Sequence, residues 1–401
     1  MNRTEILNRL ADIYGYQTYL EIGVDNGVNF SKIRIRNKTG VDPNPKTKAT
    51  YRLTSDNFFA RNKQKFDLIM IDGLHHADQV KRDIENALKF LNDNGTIFCH
   101  DCNPTTEEMQ QVPRIQGEWT GDVWRAWLEF RCREDLSMNV LDTDYGCGII
   151  RKGKQTPMHF IPDHYLAFTV SKESLLPLIS EELDPVSICI PAFEQYGHGL
   201  RTLKELLDTT KRLKGKFEVI VSDNSEGYEI ENLCKGYDLR YFKNPDRGIS
   251  VNTNFAISKA NYNLIKPMYQ DDKFINPDAI NQIAFSLKFD HWVTCSGVSM
   301  NENGRPTGNR SPQYTPKIMD GKNTIGMPSV IAYRKNGLTF DSNLKTMLDC
   351  DFYYRMHKEY GAPGYIKSKL IGSRYWSHST SRQQGSFLQN EVPLLKERYG
   401  I

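Results

Sequence analysis

Short β-rich runs, several of them ending on a carboxylate, recur along this chain, each followed by turn residues and then by helical periodicity. The first set reads TYLEIG, KTGVD, FDLIMID and TIFCHD. The theme restarts at Val186 with VSICIPAF, FEVIVSD and LRYFKN. Strands that alternate with helices imply βαβ units and mainly parallel sheets. No repeat links the two sets, and 401 residues exceed one ordinary core, so the pattern predicts two different α/β domains, 1–183 and 184–401. A closing strand is expected in DTDYGCGIIRKG and a helix in SKESLLPLIS just before the boundary.

Composition removes several function classes. Lys and Arg number 52 against 49 Asp and Glu, a net charge of +3, so no basic footprint for nucleic acid exists. No apolar run approaches the roughly 20 residues that span a bilayer, although peripheral membrane contact is compatible with the sequence. The opening MNRTEILNRLADIYGY has an amphipathic helical pattern with Thr4 as its expected cap and no apolar signal core, which predicts a cytoplasmic protein. Cys99 and Cys102 have metal or redox spacing but lack a second ligand pair or a following helix, so they read as buried strand and loop cysteines.

The stretch YLEIGVDNGVNF delivers Glu21 at a strand end, and Gly23 and Gly27 then allow a tight turn with close backbone approach to a ligand. About twenty residues on, Asp42 ends the next strand, where an acid can accept from ribose hydroxyls. A dinucleotide and S-adenosylmethionine both fit that pattern. Asp25 in the loop disfavours a pyrophosphate and suits a positively charged sulfonium. Downstream, His75, His76 and His100 sit at strand ends, and histidine is a good general base near neutral pH. His76 is the first choice, ahead of His75. Trp119, Trp124 and Trp127 are spaced as a buried helix face, which is favoured over a sugar-stacking lid.

These motifs, in this order from about Tyr19 to Ile150, resemble the class I S-adenosylmethionine-dependent methyltransferases, particularly the small-molecule and sugar O-methyltransferase branch. The resemblance implies a Rossmann-like sheet. Glu21, Gly23, Asp25 and Gly27 would border the cofactor's amino-acid end, Asp42 its ribose and Asp56 its adenine. Asp72 would stand at the reaction mouth with His75 and His76. Asp72 and Asp101 are candidates for a magnesium ion of the kind some relatives in this branch use.

In the second half YNLIKPMYQDDKFINPD sets Asp271 and Asp272 side by side, and paired acids call for a cation or a shared proton. The order VSICIPAFEQ, FEVIVSDNS, YFKNPDRGISVNTNF, MYQDDKF and KTMLDCDFYYRM resembles the inverting family 2 glycosyltransferases of the GT-A fold, over about Pro185 to Ser381. By that resemblance Pro191, Phe193, Glu194, Asp223, Arg247, Asn254 and Asp271 would hold a nucleotide-sugar donor. Asp272 and His378 would hold Mn2+ or Mg2+, and Asp349, with Asp351 beside it, would be the base that deprotonates the acceptor. Leu348 stands where relatives commonly carry an acid, and neither Gln-x-x-Arg-Trp nor a membrane span is present, which implies one sugar per encounter.

The expectation is a bifunctional glycan-tailoring enzyme of polysaccharide biosynthesis, acting on a glycan or glycoconjugate acceptor. Fusion would raise the effective concentration of a shared glycan. The alternatives are a dinucleotide-dependent oxidoreductase in the first half, or one half that serves as a non-catalytic glycan-binding module.

Overall fold

The computed structural model describes residues 1–46, 49–180, 182–194, 197–375 and 385–401. The chain divides into two compact units, Met1–Glu182 and Leu183–Ile401.

The first unit runs α1 (Arg3–Tyr14), β1 (Thr18–Ile22), α2 (Val28–Lys32), β2 (Asn37–Val41), α3 (Ser55–Phe59), β3 (Phe66–Ile71), α4 (Ala77–Phe90), β4 (Leu91–Cys99), α5 (Val123–Arg131), β5 (Leu136–Leu141), β6 (Cys147–Lys152), α6 (Tyr165–Leu175) and β7 (Leu178–Ile179). Its sheet is ordered β2-β1-β3-β4-β6-β5-β7. The first four strands are parallel, and β6 runs antiparallel between β4 and β5. The chain leaves β1 toward β2 and returns on its other side as β3, so a crevice opens beyond the carboxyl ends of β1 and β3, where ligands bind in open α/β sheets.

Two local expectations are corrected. Asn2, not Thr4, caps α1: its side chain accepts from Glu5 N at 3.0 Å while the Glu5 carboxylate accepts from Asn2 N at 3.0 Å. That reciprocal capping box leaves Thr4 Oγ1 to bond Asn29 at 2.7 Å. The helix expected over 171–180 starts earlier and stops at Leu175, because Pro177 cannot donate into it and biases Leu176 toward extended backbone. Leu178 and Ile179 instead pair with Val140 and Leu141.

Trp124 and Trp127 are fully buried on α5, and Trp124 stacks on Phe168 at 4.4 Å. Trp119 lies outside that helix and is only half-buried. Cys99 and Cys102 are buried, with Cys102 Sγ directed at the Cys99 carbonyl 3.3 Å away.

The second unit runs β8 (Val186–Ala192), α7 (His198–Thr210), β9 (Phe217–Asp223), α8 (Glu229–Cys234), β10 (Arg240–Lys243), α9 (Ile249–Ser258), β11 (Leu264–Pro267), β12 (Lys273–Phe274), α10 (Ala279–Ser286), β13 (Trp292–Met300), β14 (Pro306–Arg310), β15 (Ile331–Arg334), α11 (Leu348–Tyr360), β16 (Gly364–Arg374) and α12 (Gly385–Tyr399). Its sheet is ordered β10-β9-β8-β11-β15-β13-β16-β12, with β14 paired to β13. Strands β10, β9, β8 and β11 are parallel. The order reverses between β8 and β11, which places a second crevice beyond Ala192 and Pro267. Asp271 and Asp272 do not end β11 itself; they stand in the turn that leads from it into β12. No helix among the described residues is long and apolar enough to cross a membrane.

Candidate active sites

A cavity of about 1030 Å³ occupies the crevice of the first unit. Of the predicted residues, Glu21, Gly23, Asp25, Asp42, Asp72, His75 and Asp101 line it; Gly27, Asp56 and His76 do not. Gly23 has φ +88°, and a Cβ there would lie 2.0 Å from the Asp72 carbonyl oxygen, so only glycine lets β1 and β3 close on each other at this point. Every non-glycine residue with positive φ among the described residues, namely Asp25, Asp101, Asp144 and Tyr145, is on this cavity wall. Sparsely populated backbone conformations concentrate at functional sites.

Asp42 braces the loop after β1. Its carboxylate accepts from the backbone N–H of Val24 (3.0 Å), Asp25 (2.9 Å) and Asn44 (2.7 Å). Glu21 is buried and accepts from Tyr19 Oη at 2.5 Å and Asn29 Nδ2 at 2.9 Å. Burial pushes its carboxyl up to about 7. Asp56 is exposed on α3 beside Arg82, 3.6 Å away, whereas its neighbour Ser55 and the buried Asp83 do line the cavity. Burial raises Asp83 to about 6.

At the mouth, His75 lies between two carboxylates, with Nε2 3.3 Å from Asp72 Oδ1 and Nδ1 3.2 Å from Asp101 Oδ2. Its ring stacks on Trp119 at 5.2 Å, so that tryptophan belongs to the site rather than to the core stripe. His76 caps α4 and meets Trp119 edge-on, which turns it away from the cavity; geometry thus favours His75 over His76. His100 is buried, 3.0 Å from Asp101 Oδ1, 3.4 Å from Asp72 Oδ1 and 3.5 Å from Asp144 Oδ2. Burial opposes charge on both rings, but these carboxylates outweigh it: His75 is raised and His100 is raised well above the usual imidazole value. Burial would likewise raise Asp72, yet His100 and His75 hold it well below the usual carboxylate range.

Sequence reasoning missed Arg3. Its Nη1 donates to Asp72 Oδ2 at 2.7 Å, and its backbone N and Nε donate to Asp144 Oδ2 at 3.0 and 3.1 Å. No local signal marks a residue that reaches 69 positions along the chain.

In the second unit the predicted donor residues separate into distinct tasks. Asp223 ends β9 fully buried, accepting from Ser225 N (2.8 Å), Tyr241 Oη (2.8 Å) and Lys243 Nζ (3.0 Å). Phe193 is exposed, and its backbone is clamped by the Gln270 amide through two bonds of 2.8 and 2.7 Å. Glu194 accepts from Leu200 N and thereby caps α7. Pro191 is buried within β8, paired with Ser222. Arg247 is exposed and paired with Glu226. Asn254 spends both ends of its amide on the Phe340 backbone, at 2.8 and 2.9 Å, and so serves as a structural clamp.

Asp271 accepts from Thr202 Oγ1 at 3.2 Å. Asp272 is buried; one oxygen accepts from Arg374 N at 3.0 Å and the other, Oδ2, has no hydrogen-bond partner. Burial pushes it up to about 7. A buried carboxylate oxygen without a donor fits a cation ligand. Beside it lies the fully buried Lys266, lowered by burial to about 8, whose Nζ donates to the carbonyls of Ser329, Pro267 and Ile331. His378 lies outside the described residues.

Asp349 stands in the first turn of α11 with Oδ1 buried and unpartnered, and burial raises it to about 7. The buried Tyr269 phenol feels the charge of both Asp349 and Asp272. Asp351 is saturated by Arg355 and Tyr399. A further residue that motif reasoning missed is Glu391 on α12. Its carboxylate accepts from the backbone N–H of Lys345 (2.8 Å), Thr346 (3.0 Å) and Met347 (2.8 Å), which fixes the start of α11.

A family model described as a methyltransferase domain matches residues 20–102, and one described as glycosyl transferase family 2 matches residues 187–355. No curated protein matches the chain. Similar solved structures include S. aureus TarS 1-349 in complex with UDP, at 17% identity and TM-score 0.38, covering 48% of this chain and 60% of that one. The same TarS segment in complex with UDP-GlcNAc is 16% identical with TM-score 0.39, covering 51% of this chain and 61% of that one. The chain thus spans about three fifths of the length of these structures. It joins two α/β domains, a Rossmann-like methyltransferase domain followed by a glycosyltransferase family 2 domain of the GT-A fold.

Proposed function

We propose that the chain is a bifunctional glycan-tailoring enzyme of the cytoplasm. The second unit would transfer a sugar with inversion from a nucleotide-sugar donor, and the first would methylate a sugar hydroxyl of a glycan or glycoconjugate in polysaccharide biosynthesis. The observation that carries this reading is common to both units: a buried carboxyl group stands at the crevice of each parallel sheet, Glu21 on the cavity wall in one and Asp272, with an unpartnered oxygen, in the other.

S-adenosylmethionine, when bound, supplies an electrophilic methyl group. The Glu21 carboxylate is placed to pair with an ammonium, and Gly23 leaves the backbone open to close approach. The loop N–H groups of Val24 and Asp25 are already taken by Asp42, so they offer no cradle for a pyrophosphate; this supports the sulfonium cofactor over a dinucleotide. His75, flanked by Asp72 and Asp101 on the cavity wall, would accept the hydroxyl proton, and its raised pKa places that role on the alkaline side of an ordinary histidine.

A divalent cation, when bound, offsets charge on a departing nucleotide diphosphate. Asp272 Oδ2 would hold it, with Asp271 beside it, and Asp223 and Phe193 would border the nucleotide. Asp349 would take the acceptor proton: a carboxyl held near 7 is matched to general-base work at neutral pH. A donor screen by mass spectrometry, run with Mn2+ and with or without S-adenosylmethionine, tests the reading. It expects a glycosylated product, gaining one methyl only when S-adenosylmethionine is present; no transfer from any nucleotide sugar would sink it.

A further inference from the structure

The magnesium expectation at Asp72 and Asp101 meets a conflict in the structure. Ligand atoms of Asp72, His75 and Asp101 do lie within 4.8 Å of one another, which is close enough to surround an ion. The Asp72 oxygens are already engaged by cationic and imidazole groups of the chain. Arg3 Nη1 lies 2.7 Å from Asp72 Oδ2 and His75 Nε2 lies 3.3 Å from Asp72 Oδ1, while His75 Nδ1 stands 3.2 Å from Asp101 Oδ2 without a hydrogen bond. His100 takes the remaining face, 3.0 Å from Asp101 Oδ1. A hard divalent ion prefers six or more oxygen ligands, whereas this cluster offers two carboxylates and a nitrogen beside a fixed guanidinium. A cation placed there would share Asp72 with Arg3 and be repelled by it.

Arg3 is held by more than a mobile side chain. It opens α1, whose first turn is locked by the Asn2–Glu5 capping box and whose inner face buries Ile6, Leu7 and Leu10. Its backbone N and Nε both donate to Asp144 Oδ2, so the stem is fixed at two points before Nη1 reaches Asp72. Thr4 ties the same turn to Asn29 at 2.7 Å, and Thr143 Oγ1 donates to the Met1 carbonyl at 2.8 Å. Burial opposes the Arg3 charge, but Asp72, Asp144 and Asp101 outweigh it. A guanidinium carries five N–H donors, and Arg3 lines the cavity, so it retains donors for an acceptor hydroxyl.

We infer that Arg3 supplies in cis the charge that a divalent cation would bring, neutralising Asp72 and orienting the acceptor hydroxyl, so that the methyl-transfer site excludes metal. The orienting role rests on the methyltransferase reading; the exclusion of metal stands on the contacts alone. Arg3 is therefore a positioning residue, and removal of its charge should open the cluster to a cation.

The test counts Mn2+ bound to the full chain by the electron paramagnetic resonance signal of the free ion, in an Asp272→Asn background that silences the second unit. With Arg3 present, no Mn2+ binding that depends on Asp72 is expected. Arg3→Gln, which removes the charge and the guanidinium that reaches Asp72 while leaving a polar amide at the level of Nε, should create a site at least about tenfold tighter. Adding Asp72→Asn should abolish that site, and Arg3→Lys should keep the cluster closed. Mn2+ binding lost on Asp72→Asn while Arg3 is intact would overturn the inference. So would a folded Arg3→Gln protein, verified by circular dichroism, that gains no site. S-adenosylhomocysteine titration of the same samples reads the methyltransferase assignment separately, so either claim can fail without the other.

Discussion

Asp349 and Asp351 stand two residues apart in the first turn of α11, and only one is satisfied. Asp351 accepts from Arg355 at 2.6 and 2.9 Å and from Tyr399 at 2.5 Å, while Asp349 keeps a buried, unpartnered oxygen. Asp351 is spent on structural bonds, whereas Asp349 keeps an oxygen for the proposed base role. Asp349→Asn should lower sugar transfer by at least about a hundredfold without loss of thermal stability. Asp351→Asn should instead cost about 3 kcal/mol in a denaturant titration, because it removes the anionic partner of the Arg355 guanidinium and leaves it only the Thr339 carbonyl.

The same burial sets a pH dependence. Asp349 is raised to about 7, so a proton occupies it below that pH and blocks proton acceptance. Sugar transfer at saturating divalent cation should therefore rise as pH increases through about 7 and level off above it. A profile flat from pH 5 to 8 would contradict a role for this carboxyl.

Glu21 makes the cofactor side pH-sensitive in the opposite partner. Its folded pKa of about 7 exceeds the ordinary value of 4.5, so its contribution to stability is full at acidic pH and is lost as pH rises through 7. An ammonium beside it favours the ionised form and expels the proton. Calorimetry of S-adenosylhomocysteine at pH 6, in buffers of different ionisation heat, should show proton release that shrinks in Glu21→Gln.

Glu391 acts on the reaction through the backbone it holds. Glu391→Ala deletes three charge-assisted bonds before α11 and should cost about 3 kcal/mol. It should also depress kcat more than donor KM, since the base is displaced while the nucleotide residues stay. Glu391→Gln retains an acceptor oxygen and should recover most of both. Equal loss in the two variants would point to burial of charge rather than positioning.

Strand ends were the legible part of the sequence. Apolar runs such as FDLIMID and FEVIVSD must be strands in a buried sheet, and the acids that terminate them fall at the crevice because parallel strands share a carboxyl edge. What escaped is tertiary. Arg3 reaches Asp72 only because α1 packs against the unit, and Glu391 reaches α11 from a helix with no motif of its own. Asn254 fits a donor motif by position, yet its amide is spent on Phe340. Trp119 shared the spacing of a core stripe, but α5 begins only at Val123, so it was free to stack on His75.

The central claim, two separate transferase sites on one chain, is tested most directly by calorimetric titration of two ligands against two variants. S-adenosylhomocysteine should bind the wild type and Asp272→Ala but lose at least about tenfold in affinity for Glu21→Ala. A nucleoside diphosphate with Mn2+, chosen from a panel, should show the reverse pattern. Failure of the wild type to bind either ligand, or loss of both ligands in a single folded variant, would contradict the account.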